Sequence, residues 1–316
     1  MSVVDADVDA FESARPRLLG LAYRLLGSRV EAEDVVGDVA ERWTAADRAA
    51  IREPEAWLVT VTSRRALDVL RSARVQREEY AGPWLPEPVA TAGDPDMDVE
   101  RLESLTMGFL LLLERLTPIE RAVFVLHDAL DHPYDLVAEA VGRSEEACRQ
   151  ALSRARRHVA TPVRRTPAER RQAAEVASRF LTVGMGGDVD ALLAALAPDV
   201  VVTSDGGGIA RAALRPVVGA DRAARFLANL GSRLGADPLV VPCEINGEVG
   251  FVVHIEGGWS AVSVEVTGDA VTAVHIVANP AKLERLVTSL GPEAAGRPGV
   301  WEAVTPLHRT SDPGRR

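Results

Sequence analysis

Lysine is all but missing from this chain. Of 36 basic residues among 316, 35 are arginine and Lys282 stands alone, a bias that suggests a GC-rich coding sequence. Cysteine is nearly as scarce. Cys148 and Cys243 lie far apart, which excludes a disulfide framework and a zinc spacing, and Cys148 reads as a small apolar core residue. No run of about eighteen apolar residues exists, so nothing reads as a membrane helix. The acidic start MSVVDADVDAFES argues against a secretory signal, and the expectation is a cytoplasmic protein. An excess of positive charge is missing too, since the net charge is −10. That excludes a chain that coats nucleic acid indiscriminately. Asp205, Glu265, His254 and His275 are the available acids and bases, but no pair stands at a spacing that specifies catalysis. Neither an enzyme, a metal nor a cofactor is expected.

What is present is an ordinary globular composition, 47% apolar and 26% charged. The chain is long enough for two or three domains. Its charge is unevenly placed. Residues 143–165 carry seven Arg against two Glu, and residues 64–77 carry five Arg against one Asp. Phosphate contacts need such local cations, while an acidic remainder weakens loose binding to bulk DNA.

The richer island reads as a helix-turn-helix. In residues 134–141 the apolar Leu136, Val137, Ala140 and Val141 fall at helical spacing. Gly142 suits a helix C-cap, and Ser144 suits the N-cap of a second helix with Glu145 and Glu146 in its first turn. That helix separates its faces. Ala147, Cys148, Ala151, Leu152, Ala155 and Val159 are apolar, while Arg149, Gln150, Ser153, Arg156 and Arg157 lie opposite and fit phosphates and base edges in a major groove. A solvated basic helix is the plain alternative.

Residues 10–80 read as all helix. Ser28 to Glu31 forms a capping box. The helix it starts buries Val35, Val36, Val39 and Trp43 and turns Asp34, Asp38 and Glu41 outward. A third helix follows Pro54, with Thr60, Arg64, Asp68 and Arg71 as its polar stripe. Weak pairing among those charges explains the stripe equally well. Residues 81–98 hold four Pro and two Gly and read as a linker. Trp84 and Leu85 are too apolar for a passive spacer and need a surface of the same chain. Residues 99–165 form a second helical segment, with a capping box at Thr117 to Glu120. From 166 to 290, helices and then strands with turns at Asn246-Gly247, Gly257-Gly258 and Gly268-Asp269 imply an α+β domain with a curved antiparallel sheet. Residues 291–316 read as a flexible tail.

The order of these pieces resembles an extracytoplasmic-function sigma factor, the promoter-specificity subunit of RNA polymerase. Residues 22–43 are similar to the part of sigma region two that docks on the polymerase clamp, and 54–80 to the part that reads the minus-ten element. Residues 116–159 are similar to region four, which reads the minus-thirty-five element. Trp84-Leu-Pro-Glu-Pro88, Asp205-Gly-Gly-Gly208 and Asn279-Pro-Ala-Lys-Leu283 resemble the subgroup carrying a C-terminal SnoaL-like, NTF2-type cone. The glycine motif is usually followed by Lys, and here Ile209 stands instead.

The resemblance implies two all-α sigma domains followed by that α+β cone, with the boundaries 1–80, 81–98, 99–165, 166–290 and 291–316. It assigns Asp34, Asp38 and Glu41 to polymerase; the partner surfaces on core polymerase would be clamp and flap. Arg64, Asp68 and Arg71 go to the minus-ten element, and Arg149, Gln150, Ser153, Arg156 and Arg157 to the upstream one. It assigns Trp84, Leu85, Pro86, Asp205, Gly206, Gly207, Gly208, Asn279, Pro280, Lys282 and Leu283 to a regulatory contact in cis. With Ile209 in the lysine's place, that contact is expected to rest on packing more than on charge. No membrane and no separate anti-sigma factor are expected, and a small ligand in the cone is left open. Two alternatives stay open as well: a cone that is a cyclase or isomerase, and a one-component repressor, which leaves residues 10–80 without a purpose.

Overall fold

Apolar periodicity becomes three long helices at the start of the chain: α1 (Val3–Leu26), α2 (Arg29–Ala45) and α3 (Pro54–Glu78). The computed structural model describes residues 3–78, 80–91, 104–159, 166–234, 239–255 and 258–290. The second half of the linker, the start of the second helical segment, residues 160–165 and the tail 291–316 lie outside the described residues. Helix α1 runs through Pro16, a residue expected to kink it or to mark its first turn. Ser28 caps α2 by accepting from the Glu31 amide, and Gly27 before it has φ 68°. The rings of Trp43 and Trp57 lie 5.4 Å apart, joining α2 to α3 through an aromatic pair. Thr60, placed on the polar stripe by spacing, is instead buried.

The second helical segment opens at α4 (Met107–Leu113), capped by Thr106. Thr117 and Glu120 form the expected capping box of α5 (Pro118–Phe124), which ends in a π turn over Val125–Ala129. Helices α6 (Tyr134–Val141) and α7 (Glu145–Ala155) form the helix-turn-helix. Gly142 sits at φ 65°, where a Cβ would be strained, and Ser144 accepts from the Ala147 amide. The two helical segments form one compact unit, while residues 80–91 belong with the C-terminal unit.

The C-terminal unit begins with α8 (Pro167–Gly186) and α9 (Val189–Ala195), capped by Thr166 and Asp188. Then come β1 (Leu196–Asp205), β2 (Val217–Val218), α10 (Ala220–Gly231), β3 (Leu239–Ile245), β4 (Glu248–Ile255), β5 (Gly258–Thr267) and β6 (Ala270–Val277). Their order in the sheet is β2-β1-β6-β5-β4-β3. The sheet is mixed, which corrects the antiparallel expectation: β1 pairs with β6 in parallel. The hairpins β3–β4–β5–β6 fold back stepwise, so the last strand returns beside the first with the same direction. Asn246 and Gly247 have φ 54° and 76°. They supply the left-handed pair that a tight hairpin turn needs. A final helix, α11 (Pro280–Ser289), is absent from the sequence expectation, although Asn279 at its N-cap and Pro280 at its first position announce it.

One face of the sheet packs Val200, Val202, Phe251, Val262, Val264, Val274 and Ile276 against α8 and α10. Because strand side chains alternate, Thr203, Asp205, Ser263, Glu265 and His275 point to the other face. No described helix is long and apolar enough to cross a membrane, and no group of described His, Cys, Asp or Glu could hold a metal ion.

Candidate DNA-reading helices and a linker dock

On α2, Asp34 and Glu41 are exposed. Asp38 is drawn aside, accepting from Arg65 Nε at 2.5 Å. On α3, Arg64, Asp68 and Arg71 share an exposed stripe, where Arg71 pairs with Asp68 at 3.3 Å. Arg64 does not face open solvent alone: its Nη2 donates to the Glu139 carbonyl of α6 at 2.8 Å. The helix resembling a minus-ten reader therefore rests on the first helix of the helix-turn-helix.

A second tie joins the same two segments deeper down. Arg24, fully buried near the end of α1, donates from Nε to Ser104 Oγ at 2.8 Å. Arg121 on α5, 2% exposed, donates from Nε and Nη2 to the Arg24 carbonyl at 3.3 and 3.2 Å, and from Nη1 to Glu114. Buried guanidinium groups persist only where their donors are used.

The polar face of α7 is not uniformly available. Arg149 pairs with Glu145 at 2.6 Å and sits over the Tyr134 ring. Gln150 donates to Glu146 at 3.2 Å. Arg156 makes a two-pronged pair with Asp128, at 2.8 and 2.7 Å, and the Asp128 side chain is only 4% exposed. Ser153 and Arg157 are exposed, with no side-chain partner among the described residues. Arg154, not singled out in the sequence, pairs with Glu120 at 2.6 Å.

The linker residues 80–91 are docked along the C-terminal unit, and Asp205 is the centre of that dock. Its carboxylate is 0% exposed, at the end of β1. It accepts from the Tyr80 hydroxyl at 2.6 Å, the Leu85 amide at 2.9 Å, the Gly207 amide at 2.9 Å and Lys282 Nζ at 2.7 Å. The Lys282 ammonium also donates to the Leu85 carbonyl at 2.5 Å. It lies 4.2 Å from the Trp84 ring and 5.0 Å from that of Tyr80, within reach of both ring faces. Asn279 Nδ2 donates to the Tyr80 hydroxyl at 2.7 Å, while its Oδ1 caps α11 at the Ala281 amide. Gly207 has φ 62°, and a Cβ there would collide with the Asn279 amide, so glycine is the residue that fits. Leu85, Pro86, Gly206 and Leu283 are buried around the node, and Pro280 is exposed on α11. Ile209 is 75% exposed. The balance expected from sequence is thus reversed, because the dock is ionic and hydrogen-bonded at its centre.

A second stretch of the linker extends the sheet. Ala90 bridges Ile245 on the edge strand β3 in antiparallel fashion. Asn246 exchanges two bonds with Val89, its amide to the Val89 carbonyl at 2.9 Å and its Oδ1 accepting from the Val89 amide at 3.0 Å. The Thr91 amide donates to the Glu244 carbonyl at 3.1 Å and its hydroxyl to Glu244 Oε1 at 2.6 Å, while the Gly247 amide donates back to that hydroxyl at 2.9 Å. Adding a strand at an open edge satisfies both partners' backbone groups. Sequence alone offers no sign of it.

Burial and the Asp205 hydrogen bond push the Tyr80 phenol well above its ordinary value. The docked state therefore holds that proton more tightly than the unfolded chain does. Its contribution is complete below about pH 10, the ordinary phenol value, and is lost as pH rises beyond it. Hydrogen exchange of residues 80–91 between pH 7 and pH 11, with rates corrected for intrinsic base catalysis, should show protection constant at first and then falling. Constant corrected protection throughout would detach Tyr80 from the dock.

Among the other acids and bases, His275 Nε2 lies 2.6 Å from Glu265 Oε1, a pairing that spacing does not reveal because it joins two strands. His254 is exposed on β4 and packs edge-on to Trp259 at 5.1 Å. The apolar interior of the cone, on the opposite face of the sheet, is lined by neither pair.

Comparison with known proteins adds family models and relatives. The family model described as Sigma-70 region 2 matches residues 10–75, and Sigma-70, region 4 matches 107–159. The chain is similar to the ECF RNA polymerase sigma factor SigJ of Mycobacterium tuberculosis, 40% identical over 293 residues covering 87% of this chain and 93% of that protein. It is also similar to the probable ECF RNA polymerase sigma factor SigI of the same species, 32% identical over 304 residues, 92% of this chain and 99% of that one. A crystal structure of M. tuberculosis SigJ superposes with a TM-score of 0.72 at 37% identity, covering 88% of this chain and 98% of that one.

Proposed function

The chain belongs to the extracytoplasmic-function sigma factors of RNA polymerase, and from that membership we propose that it binds core polymerase, directs promoter-specific initiation, and is regulated in cis by its SnoaL-like domain. Asp34 and Glu41 offer an acidic face to polymerase. Arg64, Asp68 and Arg71 handle the minus-ten strand, where extracting a base costs a few kcal/mol of unstacking that contacts must offset. Helix α7 enters the major groove upstream. Within it we divide the roles. Arg149, Gln150, Ser153 and Arg157 contact bases or phosphates, whereas Arg156, held by Asp128, positions the helix and keeps one nitrogen for a phosphate.

The observation that carries the regulatory part is the dock of residues 80–91, because that segment joins the two DNA-reading parts. The two promoter elements lie about 25 base pairs apart, about 85 Å along B-DNA at about 3.4 Å per base pair. Arg64 meanwhile bonds to Glu139 at 2.8 Å. Both elements can be read together only after the helical segments part, and the length of linker released from the C-terminal domain sets how far. A separate anti-sigma factor is not required on this reading. Catalysis is not part of it either, since Asp205, Glu265, His254 and His275 lie on the sheet face turned away from the interior of the cone.

Reconstituted transcription with core polymerase tests the whole, comparing the full chain with one ending near Thr166. Promoter-specific transcripts from both, in different yield, are expected. No transcript from either removes the initiation role, and equal yield removes regulation in cis. In the same assay Arg149→Ala and Arg157→Ala should each cost about 1–3 kcal/mol and relax the preference for the upstream element. Arg156→Ala should weaken all promoters alike and lower the melting point, because a nearly buried carboxylate loses its two-pronged partner. Altered base preference in Arg156→Ala would undo that division.

A further inference from the structure

Two neighbouring residues of the π turn after α5 reach two arginines of α7. Asp128 holds Arg156 by the two-pronged pair. His127 reaches Arg149 through an aromatic ring. The centroids of the His127 and Tyr134 rings lie 4.1 Å apart, and the Arg149 guanidinium carbon sits over the Tyr134 ring at 4.8 Å. Residues 149 and 156 are two helical turns apart, so both arginines share one face of α7. π turns inside helices recur at functional sites. This one is tied down by the backbone that follows it. His127 Nδ1 lies 2.8 Å from the His132 carbonyl, which only accepts, so Nδ1 carries the proton and the orientation of the ring is set. The His132 amide donates to the Leu126 carbonyl at 2.9 Å, and Asp131 just before it adopts φ 58°. A left-handed residue other than glycine persists where its surroundings hold it. Pro133 then caps α6 and makes Tyr134 its first residue.

We propose that Tyr134 is a positioning residue for reading the upstream element: its ring, braced by His127, sets the orientation of Arg149 before DNA arrives. This rests on the reading that α7 enters the major groove. The Arg149 side chain is 49% exposed, and its ionic partner is Glu145 one turn earlier at 2.6 Å. An exposed pair of that kind holds a long side chain weakly. It also takes up N–H donors, the groups that a guanine edge needs. A ring face acts differently. It attracts the guanidinium through its π cloud and occupies none of the five N–H groups, which lie in the guanidinium plane. The donor fork stays open while the side chain gives up rotamer freedom in advance, so less is lost on binding. Glu145 is the contact that an approaching phosphate backbone repels, and Tyr134 is the contact that stays.

Transcription by the full chain with core polymerase, from a promoter pool randomised across the upstream element, tests this. Arg149→Ala first identifies the base positions that Arg149 reads. Tyr134→Leu, which keeps apolar bulk without a π face, should lower preference at those positions by about two- to fivefold and leave the others alone. Tyr134→Phe should keep the preference, because the ring and not the hydroxyl acts. His127→Ala, which leaves Tyr134 in place, should flatten the same positions by less. Adding Tyr134→Leu to Arg149→Ala should change preference no further. Unchanged preference in Tyr134→Leu overturns the inference, as does an equal loss at every position, the mark of a merely structural residue. Equal losses in Tyr134→Phe and Tyr134→Leu assign the role to the hydroxyl and overturn it too. Should Tyr134→Leu fail to fold, judged by circular dichroism, His127→Ala decides, and no change there overturns it. All these results leave α7 as the upstream reader, whereas unaltered preference in Arg149→Ala removes that reading along with this one.

Discussion

Replacing Asp205 with alanine is expected to destabilise the C-terminal unit by about 3–5 kcal/mol, the usual cost of removing one partner from a buried ion pair. The carboxylate is 0% exposed and accepts four hydrogen bonds. Without it, Lys282 keeps a charge that is largely shielded from water and loses its buried anionic partner, while the Leu85 carbonyl and two ring faces stay beside it. The Leu85 and Gly207 amides lose their acceptor as well. Residues 80–91 should then lose protection in hydrogen exchange, first around Leu85 and later around Val89, where the strand pairing with β3 persists. Asp205→Ala combined with Lys282→Met should recover much of the loss, because no lone charge remains. Added salt should barely matter to the wild type, since a buried pair is little screened. Urea unfolding of the three proteins measures this. An effect below about 1 kcal/mol for Asp205→Ala, or no recovery in the double variant, would move the dock's stability away from this node.

That charge lies at the centre escapes a reading of the sequence for a specific reason. Ile209 stands where the resemblance leads one to expect lysine, and a missing cation there implies a packed contact. The cation comes instead from Lys282 on α11, a helix hidden behind the Asn279-Pro280 step when that step is read only as a turn. Helices with strong local signals are legible: the Ser28, Thr117 and Ser144 caps, the left-handed Gly142 and the two-faced α7 are all written within a few residues. So are the hairpins, because Asn246-Gly247 and Gly268-Asp269 are local turns. What local pattern cannot encode is the pairing of distant segments. The parallel contact of β1 with β6 joins residues such as Thr203 and His275, and the bridge from Ala90 to Ile245 spans a gap about twice as long. So short a pairing segment in a Pro-rich stretch has no alternation to detect. The same limit hides the partners of Arg156 and Arg64, which spacing can expose on a helix face but cannot pair with Asp128 or Glu139.

Arg121→Met should loosen the two helical segments from one another and raise the apparent affinity for core polymerase by up to about 100-fold. Methionine keeps an unbranched stem but loses the guanidinium. The Arg24 carbonyl at the end of α1 then loses the two bonds that Arg121 donates, inside a contact where Arg121 is 2% exposed. Glu114 is the lesser loss, because its side chain is 24% exposed and can turn to water. If about 3 kcal/mol of the closed packing disappears, and each tenfold in affinity is about 1.4 kcal/mol, binding that must first part the segments gains about two decades. The direction distinguishes a latch from a plain core residue: a core residue lost would lower binding along with stability. Energy transfer between dyes on α2 and α7 reports the separation, circular dichroism the retained helix, and titration with core polymerase the affinity. Ser104→Ala, which removes only the bond from Arg24 Nε, should move separation and affinity the same way by less. Unchanged dye separation with weaker polymerase binding in Arg121→Met would show that the contact between Arg121 and Arg24 serves the fold and places no cost on opening.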